Sequence, residues 1–265
     1  MSIKQTNNNI KTHFNNYAID DEWGNLYNPS NPISYSFIER KKKVLLMLKE
    51  YGVKNKKVLD MGCGSGAIME EIVKEGGEFN GIDFSENMII ALKNKYKDLI
   101  IKYPIKVEVG DCTKTHYENE TFDYVIGMGL VEYFDNPDIL IKETIRLLKK
   151  DGKVIFTIPN SKSFDYFMVS LLYPVRKLMK FIIKNKQKAI KRKVYAPREF
   201  DKLMKQYGFY VVNYSFYNIK PLGYPVSKFF PKFTNWISKH VEYKKHSIWK
   251  YFATGYIGVY RKLEY

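Results

Sequence analysis

Cysteine is scarce in this chain: two residues in 265, Cys63 and Cys112. Two are too few for a disulfide framework and suit a reducing compartment. No Cys/His cluster has metal-ligand spacing, so no metal is expected. No apolar run reaches eighteen residues, which argues against a membrane-spanning helix. The opening "MSIKQTNNNIKTHF" lacks the apolar stretch of a secretory signal, and a cytoplasmic location is predicted. Internal repeats are missing too. Acidic residues are nearly absent from the last hundred positions. Residues 161–265 hold 5 Asp+Glu against 22 Lys+Arg, whereas residues 1–160 hold 23 against 22. The whole excess of +16 therefore arises beyond residue 160, which marks a functional boundary there.

What is present alternates strand and helix. "SYSFIERKKKVLLMLKEY" (34–51) predicts a helix and "KKVLD" (56–60) a strand. "SGAIMEEIVKEG" (65–76) predicts a helix, "EFNGID" (78–83) a strand and "SENMIIALKNKY" (85–96) a helix. "IKVEVGD" (105–111) and "TFDYVIGMG" (121–129) predict two more strands. "PDILIKETIRLLKKDG" (137–152), with Pro at its start and Gly at its end, reads as a helix before a fifth strand at 153–160. The class is α/β: a mostly parallel sheet with helices on both faces.

Ligands of such sheets sit beyond the carboxyl ends of the strands. "VLDMGCGSGA" (58–67) places Gly62, Gly64 and Gly66 there. Glycine admits positive φ and close approach of backbone to a ligand, and the following helix offers free N–H groups. A tight strand-to-helix turn needs only one such glycine, so three favour a ligand cradle. "GCGSGA" alone also fits the dinucleotide fingerprint, with Asp83 about twenty residues on. Asp60, two residues before the first glycine, the "GDC" at 110–112 and the aromatic-rich stretch ahead of the first strand point elsewhere.

Over residues 34–160 the chain resembles the class I S-adenosylmethionine-dependent methyltransferases, in particular the small-molecule enzymes of quinone-biosynthesis type. "VLDMGCGSG", "GIDFSENMI", "VEVGD", "FDYVIGMGLVEYF" and "LLKKDGKVIFTIPN" match that family's motifs in its order. The resemblance implies a seven-stranded Rossmann-like sheet with an antiparallel last strand, and S-adenosyl-L-methionine as cofactor. It also implies roles. Asp60 orients the loop, Gly62, Cys63, Gly64 and Gly66 pass the methionine part, and Asp83 takes the ribose hydroxyls. Phe84 and Met88 pack at ribose and adenine, Asp111 and Cys112 meet the adenine, and Gly127, Met128 and Gly129 lie beneath the reacting methyl.

An acceptor hydroxyl needs a base, and His116, Glu132, Tyr133 and His13 are the candidates. Quinone-pathway enzymes often carry His where this chain has Tyr133. Tyr17, Trp23, Tyr27 and Tyr35 read either as a lid over cofactor and substrate or as the edge of the core. The Pro-Pro-aromatic motif of nucleobase amine methyltransferases is missing, and neither cysteine follows Pro, so a nucleic-acid acceptor is unlooked for despite the charge.

The domain reading is a lid and helix over 1–55, a cofactor-binding core over 56–160, and a basic amphipathic insertion over 161–196. The rest of the core spans 197–265, with a second basic-aromatic insertion near 218–252. Apolar residues from Phe164 to Ile183 follow helical spacing, broken at Pro174. The cluster Lys184, Lys186, Lys188, Lys191, Arg192 and Lys193 follows. The inserted material is either a substrate cap with a solvated basic face, or a surface resting on the inner face of an anionic membrane. The expected function is O-methylation of a small, hydrophobic or lipid-linked acceptor: a quinone or isoprenoid precursor or a glycan intermediate. An RNA or protein methyltransferase is the alternative, and a non-catalytic cofactor-binding adaptor the third reading.

Overall fold

A computed structural model describes residues 3–18, 22–31, 34–174, 192–242 and 248–262. The basic run at 184–191 and the apolar positions from Val175 to Ile183 lie outside them. Three helices come first: α1 (Ile3–Ala18), α2 (Glu22–Asn25) and α3 (Tyr35–Tyr51). Strands and helices then alternate as β1 (Lys57–Met61), α4 (Met69–Lys74), β2 (Glu78–Asp83), α5 (Glu86–Lys95), α6 (Lys97–Lys102) and β3 (Ile105–Val109). Next come β4 (Phe122–Met128), α7 (Asp138–Leu147), β5 (Leu148–Pro159), α8 (Phe164–Leu171) and α9 (Pro197–Gln206). The described chain closes with β6 (Phe209–Ile219), α10 (Val226–Phe229), α11 (Pro231–Glu242) and β7 (Ala253–Lys262).

The seven strands form one sheet in the order β3-β2-β1-β4-β5-β7-β6. β1 to β5 pair in parallel, and β7 runs antiparallel to both β5 and β6. This is the expected Rossmann-like class with its reversed last strand. Side chains alternate between two cores, as a two-residue period requires. Val58, Tyr124, Ile126, Ile155, Ile257 and Val259 face α3, α4 and α5. Leu59, Val125, Val154, Phe156, Tyr256 and Tyr260 face α7 and α9.

Two boundaries differ from the sequence-based expectation, each for a physical reason. Helix α4 starts at Met69, not at residue 65, because Gly64 and Gly66 take φ of +50° and +76° and the chain stays non-helical through Ile68. Helix α7 stops at Leu147, because Leu148 already lies beside Phe122 in the sheet; Gly152 belongs to an irregularity of β5 and not to a helix end. Serines start two helices: the Ser85 hydroxyl accepts the Met88 N–H at 3.2 Å, and Ser163 accepts that of Tyr166 at 3.2 Å.

Phe156 is fully buried in the centre of the sheet, edge-on to Phe200 with ring centres 6.2 Å apart. Phe156→Ala should destabilise the protein by about 3–5 kcal/mol. Urea unfolding measures this, and a loss below about 1 kcal/mol would contradict the packing described.

Candidate active site

The strand order reverses between β1 and β4: β2 and β3 lie on one side of that pair and β5 on the other. A crevice opens at the carboxyl ends of strands flanking such a reversal. Asp60 of β1 lies beside Ile126 of β4, so the glycine loop after β1 and the Gly127–Gly129 exit of β4 share this crevice. The backbone N–H groups of Gly62 and Cys63 donate to the Ile82 carbonyl at 2.8 and 3.2 Å, which ties the loop to β2. Gly62, Gly64 and Gly66 all have positive φ, a conformation that side chains resist.

Asp83 ends β2 and is buried. Its carboxylate accepts the N–H of Gly64 and of Ser85, each at 2.9 Å. Burial pushes its pKa up, while these two bonds pull it down. Asp60 is buried as well, and its Oδ1 has no hydrogen-bond partner. Burial, then the neighbouring Asp83 charge, lift its pKa to about 8 against the pull of Arg40.

Arg40 is the residue that the sequence reading missed. It stands on the buried stripe of α3 with Val44, Met47 and Leu48. That i, i+4, i+7, i+8 spacing was the available signal, masked by the three lysines beside it. The guanidinium sits over the Phe37 ring at 5.1 Å and donates to the Tyr27 hydroxyl at 3.4 Å; its Nε has no partner. Burial works against its charge, but Tyr27, Tyr217 and Glu132 outweigh it and hold the group charged. A Cβ on Gly129, whose φ is +71°, would run into this guanidinium. Gly127 is required for another reason: a Cβ there would lie 2.7 Å from the Phe156 ring.

Glu132 lies in a short 3-10 turn after β4, Val131–Tyr133. It is buried, with Oε2 unpartnered. Burial raises its pKa, and Arg40 and Arg192 hold it down. Tyr133 is pushed up to about 12, by burial first and Glu132 second, so it keeps its proton at neutral pH. His116 stands apart, exposed on the loop after β3, with Nδ1 3.5 Å from Glu108. His13 lies in α1 beside Phe14, its pKa lowered by burial.

The N-terminal segment covers the crevice. Phe14 meets Trp23, Phe84 and Tyr133 edge-on, with ring centres 5.3, 6.1 and 5.2 Å apart. The indole nitrogen of Trp23 lies 2.9 Å from where a Cβ on Gly64 would stand. The Asn15 side chain accepts the Ser85 hydroxyl at 2.7 Å, and its carbonyl accepts the Asn87 amide at 3.1 Å. Tyr27 reaches Arg40, and Tyr35 is buried at the start of α3. Tyr17 belongs to α1, with its side chain outside the described residues. Met88 is buried in the first turn of α5. Asp111 folds back on Thr113, accepting its N–H at 2.8 Å and its hydroxyl at 2.7 Å. The half-buried Cys112 thiol and the buried Cys63 thiol are both pushed up by burial, so neither is a ready nucleophile.

A sheet in this order, with a glycine loop and a buried aspartate at adjacent strand ends, is a fold this chain shares with solved methyltransferase structures. Residues 59–156 match the sequence family described as a methyltransferase domain. The chain is 31% identical over 147 residues to a ubiquinone biosynthesis O-methyltransferase of Coxiella burnetii, a match over 54% of this chain and 57% of that protein. It spans little more than half the length of that curated relative. A second protein of that name, from Hydrogenovibrio crunogenus, is 25% identical over 194 residues, covering 72% of this chain and 74% of its own. Among solved structures, magnesium protoporphyrin IX methyltransferase from Synechocystis PCC 6803 with bound SAH superposes with a TM-score of 0.69. That match covers 97% of this chain and 99% of the other at 14% identity, a likeness of fold.

The buried Asp60 carboxyl makes stability depend on pH. Its ordinary pKa is about 3.9, and the folded value is about 8. Between those values the unfolded chain has lost a proton that the folded chain keeps. Stability therefore falls as pH rises through this window. Asp60→Asn should lose less stability than the native chain between about pH 5 and pH 8. Urea titrations at both pH values check this, and identical losses in the two proteins would contradict it.

Proposed function

We propose that this protein is an S-adenosylmethionine-dependent methyltransferase acting on an oxygen of a small, hydrophobic acceptor. The observation that carries the reading is Asp83: a buried carboxylate held between the N–H groups of Gly64 and Ser85, at the edge of a loop with three positive-φ glycines. A carboxylate has more lone pairs than those two bonds use. It can therefore accept from a pair of ribose hydroxyls. The unpartnered Arg40 Nε, on a charged guanidinium under the β4 exit, suits the carboxylate of the methionine part. Gly62 and Gly64 give the backbone room to approach, Phe84 and Met88 border the ribose side, and Asp111 and Cys112 border the adenine side.

S-adenosylmethionine supplies a methyl group already activated on a sulfonium. The chain's residues then have three tasks. Gly127–Gly129 and the glycine loop align the acceptor oxygen for in-line attack, where much of the rate originates. Phe14 and Trp23 exclude water from the crevice. Glu132 removes the acceptor proton: it is buried, its Oε2 is unpartnered, and its raised pKa sits closer to that of a working base than an exposed carboxylate would. Tyr133, with a pKa near 12, holds its proton and serves as a hydrogen-bond donor.

The names of the curated relatives support oxygen as the methylated atom and a quinone-type ring as acceptor. A lipid-linked acceptor would be met at the inner face of an anionic membrane, the finer part of this proposal. No described helix is long and apolar enough to cross a membrane.

Asp83→Asn should weaken binding of S-adenosylhomocysteine by about tenfold or more, since a hydrogen bond to a charged group contributes about 1.5–3 kcal/mol. Calorimetry reads this directly, and native protein that fails to bind the compound would end the proposal. Glu132→Gln should lower kcat by about a hundredfold or more while S-adenosylhomocysteine affinity stays within about twofold. Unchanged turnover would assign the proton transfer to another group.

A further inference from the structure

The elements between the late strands form a layer on one edge of the sheet. Helix α8 follows β5, α10 and α11 follow β6, and the 3-10 turn Ile248–Phe252 precedes β7. β6 runs parallel to β5, and β7 antiparallel to both. All of these segments therefore leave the sheet on the edge that carries the glycine loop and the β4 exit. They are tied to each other. The Asp165 carboxylate accepts the Tyr224 N–H at 2.8 Å and the Ser227 hydroxyl at 2.9 Å. Phe164 packs on Phe252, ring centres 5.4 Å apart.

Helix α11 buries two hydroxyl side chains and turns two aromatic rings outward. Its buried face holds small hydroxyl side chains: Thr234 and Ser238 are 1% and 0% exposed and bond back to the carbonyls of Phe230 and Thr234. Ile237 and Val241 are half-buried, while the outward face holds the aromatic rings. Phe233 and Trp236 are 52% and 58% exposed, their rings stacked 6.2 Å apart, and Phe230 just ahead of the helix is 63% exposed. On the same edge of the sheet, Phe167, Leu171 and Ile248 are exposed as well. A helix in water buries its apolar face, and contiguous apolar surface on a protein marks a contact site.

Charge decides what fits it. Between Lys220 and Lys250 the sequence holds seven lysines and a single acidic residue, Glu242. Lys232 and Lys239 flank the aromatic face and are exposed. A second copy of this chain would set lysine against lysine. An anionic lipid surface accepts both features: aromatic rings enter the interface, and lysines meet the head groups. We propose that the outward face of α11, centred on Phe233 and Trp236, docks the protein on an anionic bilayer. The docked face then lies on the same edge as the crevice, so a membrane-dissolved acceptor enters the site without crossing water. This rests on the hydrophobic-acceptor reading above and adds where the acceptor is met.

The test is cosedimentation of the full chain with vesicles. Native protein should pellet with phosphatidylcholine vesicles containing phosphatidylglycerol and stay in solution with phosphatidylcholine alone. High salt should weaken that binding without abolishing it, because the rings contribute a part that salt does not screen. The double variant Phe233→Ser, Trp236→Ser should partition about tenfold or more weakly, with its thermal transition and S-adenosylhomocysteine binding unchanged. Three results would overturn the inference: native protein that ignores anionic vesicles, a double variant that binds them equally well, or a native dimer that the double variant dissolves in light scattering. S-adenosylhomocysteine binding is measured without vesicles, so failure of docking with that binding intact leaves the methyltransferase reading standing.

Discussion

Two carboxylates buried side by side set the terms for the rest of this structure. Asp60 and Asp83 end adjacent strands in a crevice where a charge is expensive. Burial first, and the Asp83 charge second, push the Asp60 pKa to about 8. Three arrangements offset that cost. Backbone N–H groups from Gly64 and Ser85 converge on Asp83. The glycine loop bends through positive φ so that the Gly64 N–H can point there. Arg40 reaches in from α3 with a guanidinium that pulls the Asp60 pKa down. The candidate cofactor cradle is thus an electrostatic arrangement before it is a shape.

The same guanidinium links the two halves of the site. It lies beneath Gly129, acts on Glu132, and is held from the N-terminal side by Tyr27. The proposed cofactor side, the proposed proton-transfer side and the covering segment therefore share one cation. Substitutions at Tyr27, Glu132 or Asp60 should not be additive, since residues in one network rarely are.

The first five strands were legible in the sequence because each is a short apolar run between clear helical periods. The candidate cofactor residues were legible because glycines and aspartates have few other reasons to recur at strand ends. Failures came where long-range pairing outweighed local propensity. "LLKKDG" has good helix formers, yet Leu148 is taken by Phe122 across the sheet. Helix α1 went unread because its asparagines are weak helix formers; Phe14, which touches three aromatic rings at the site, went unread with it. Arg40 looked like one cation among four, and only the tertiary fold says which turns inward. The outward aromatic face of α11 was also beyond a sequence reading, which sees apolar spacing but not which side of it meets the sheet.

Strand β7 comes after β6 in the sequence yet lies between β5 and β6 in the sheet. The sheet therefore cannot grow in the order of synthesis. Until residues 253–262 emerge from the ribosome, β5 has an open edge and β6 has no neighbour to pair with. Open edges invite pairing with other chains, and a contact this remote in sequence forms slowly. The strands that carry the candidate cofactor cradle are thus all synthesised before the sheet can be completed. A ligand that bound the cradle early would favour that half of the molecule while the other waits for its central strand.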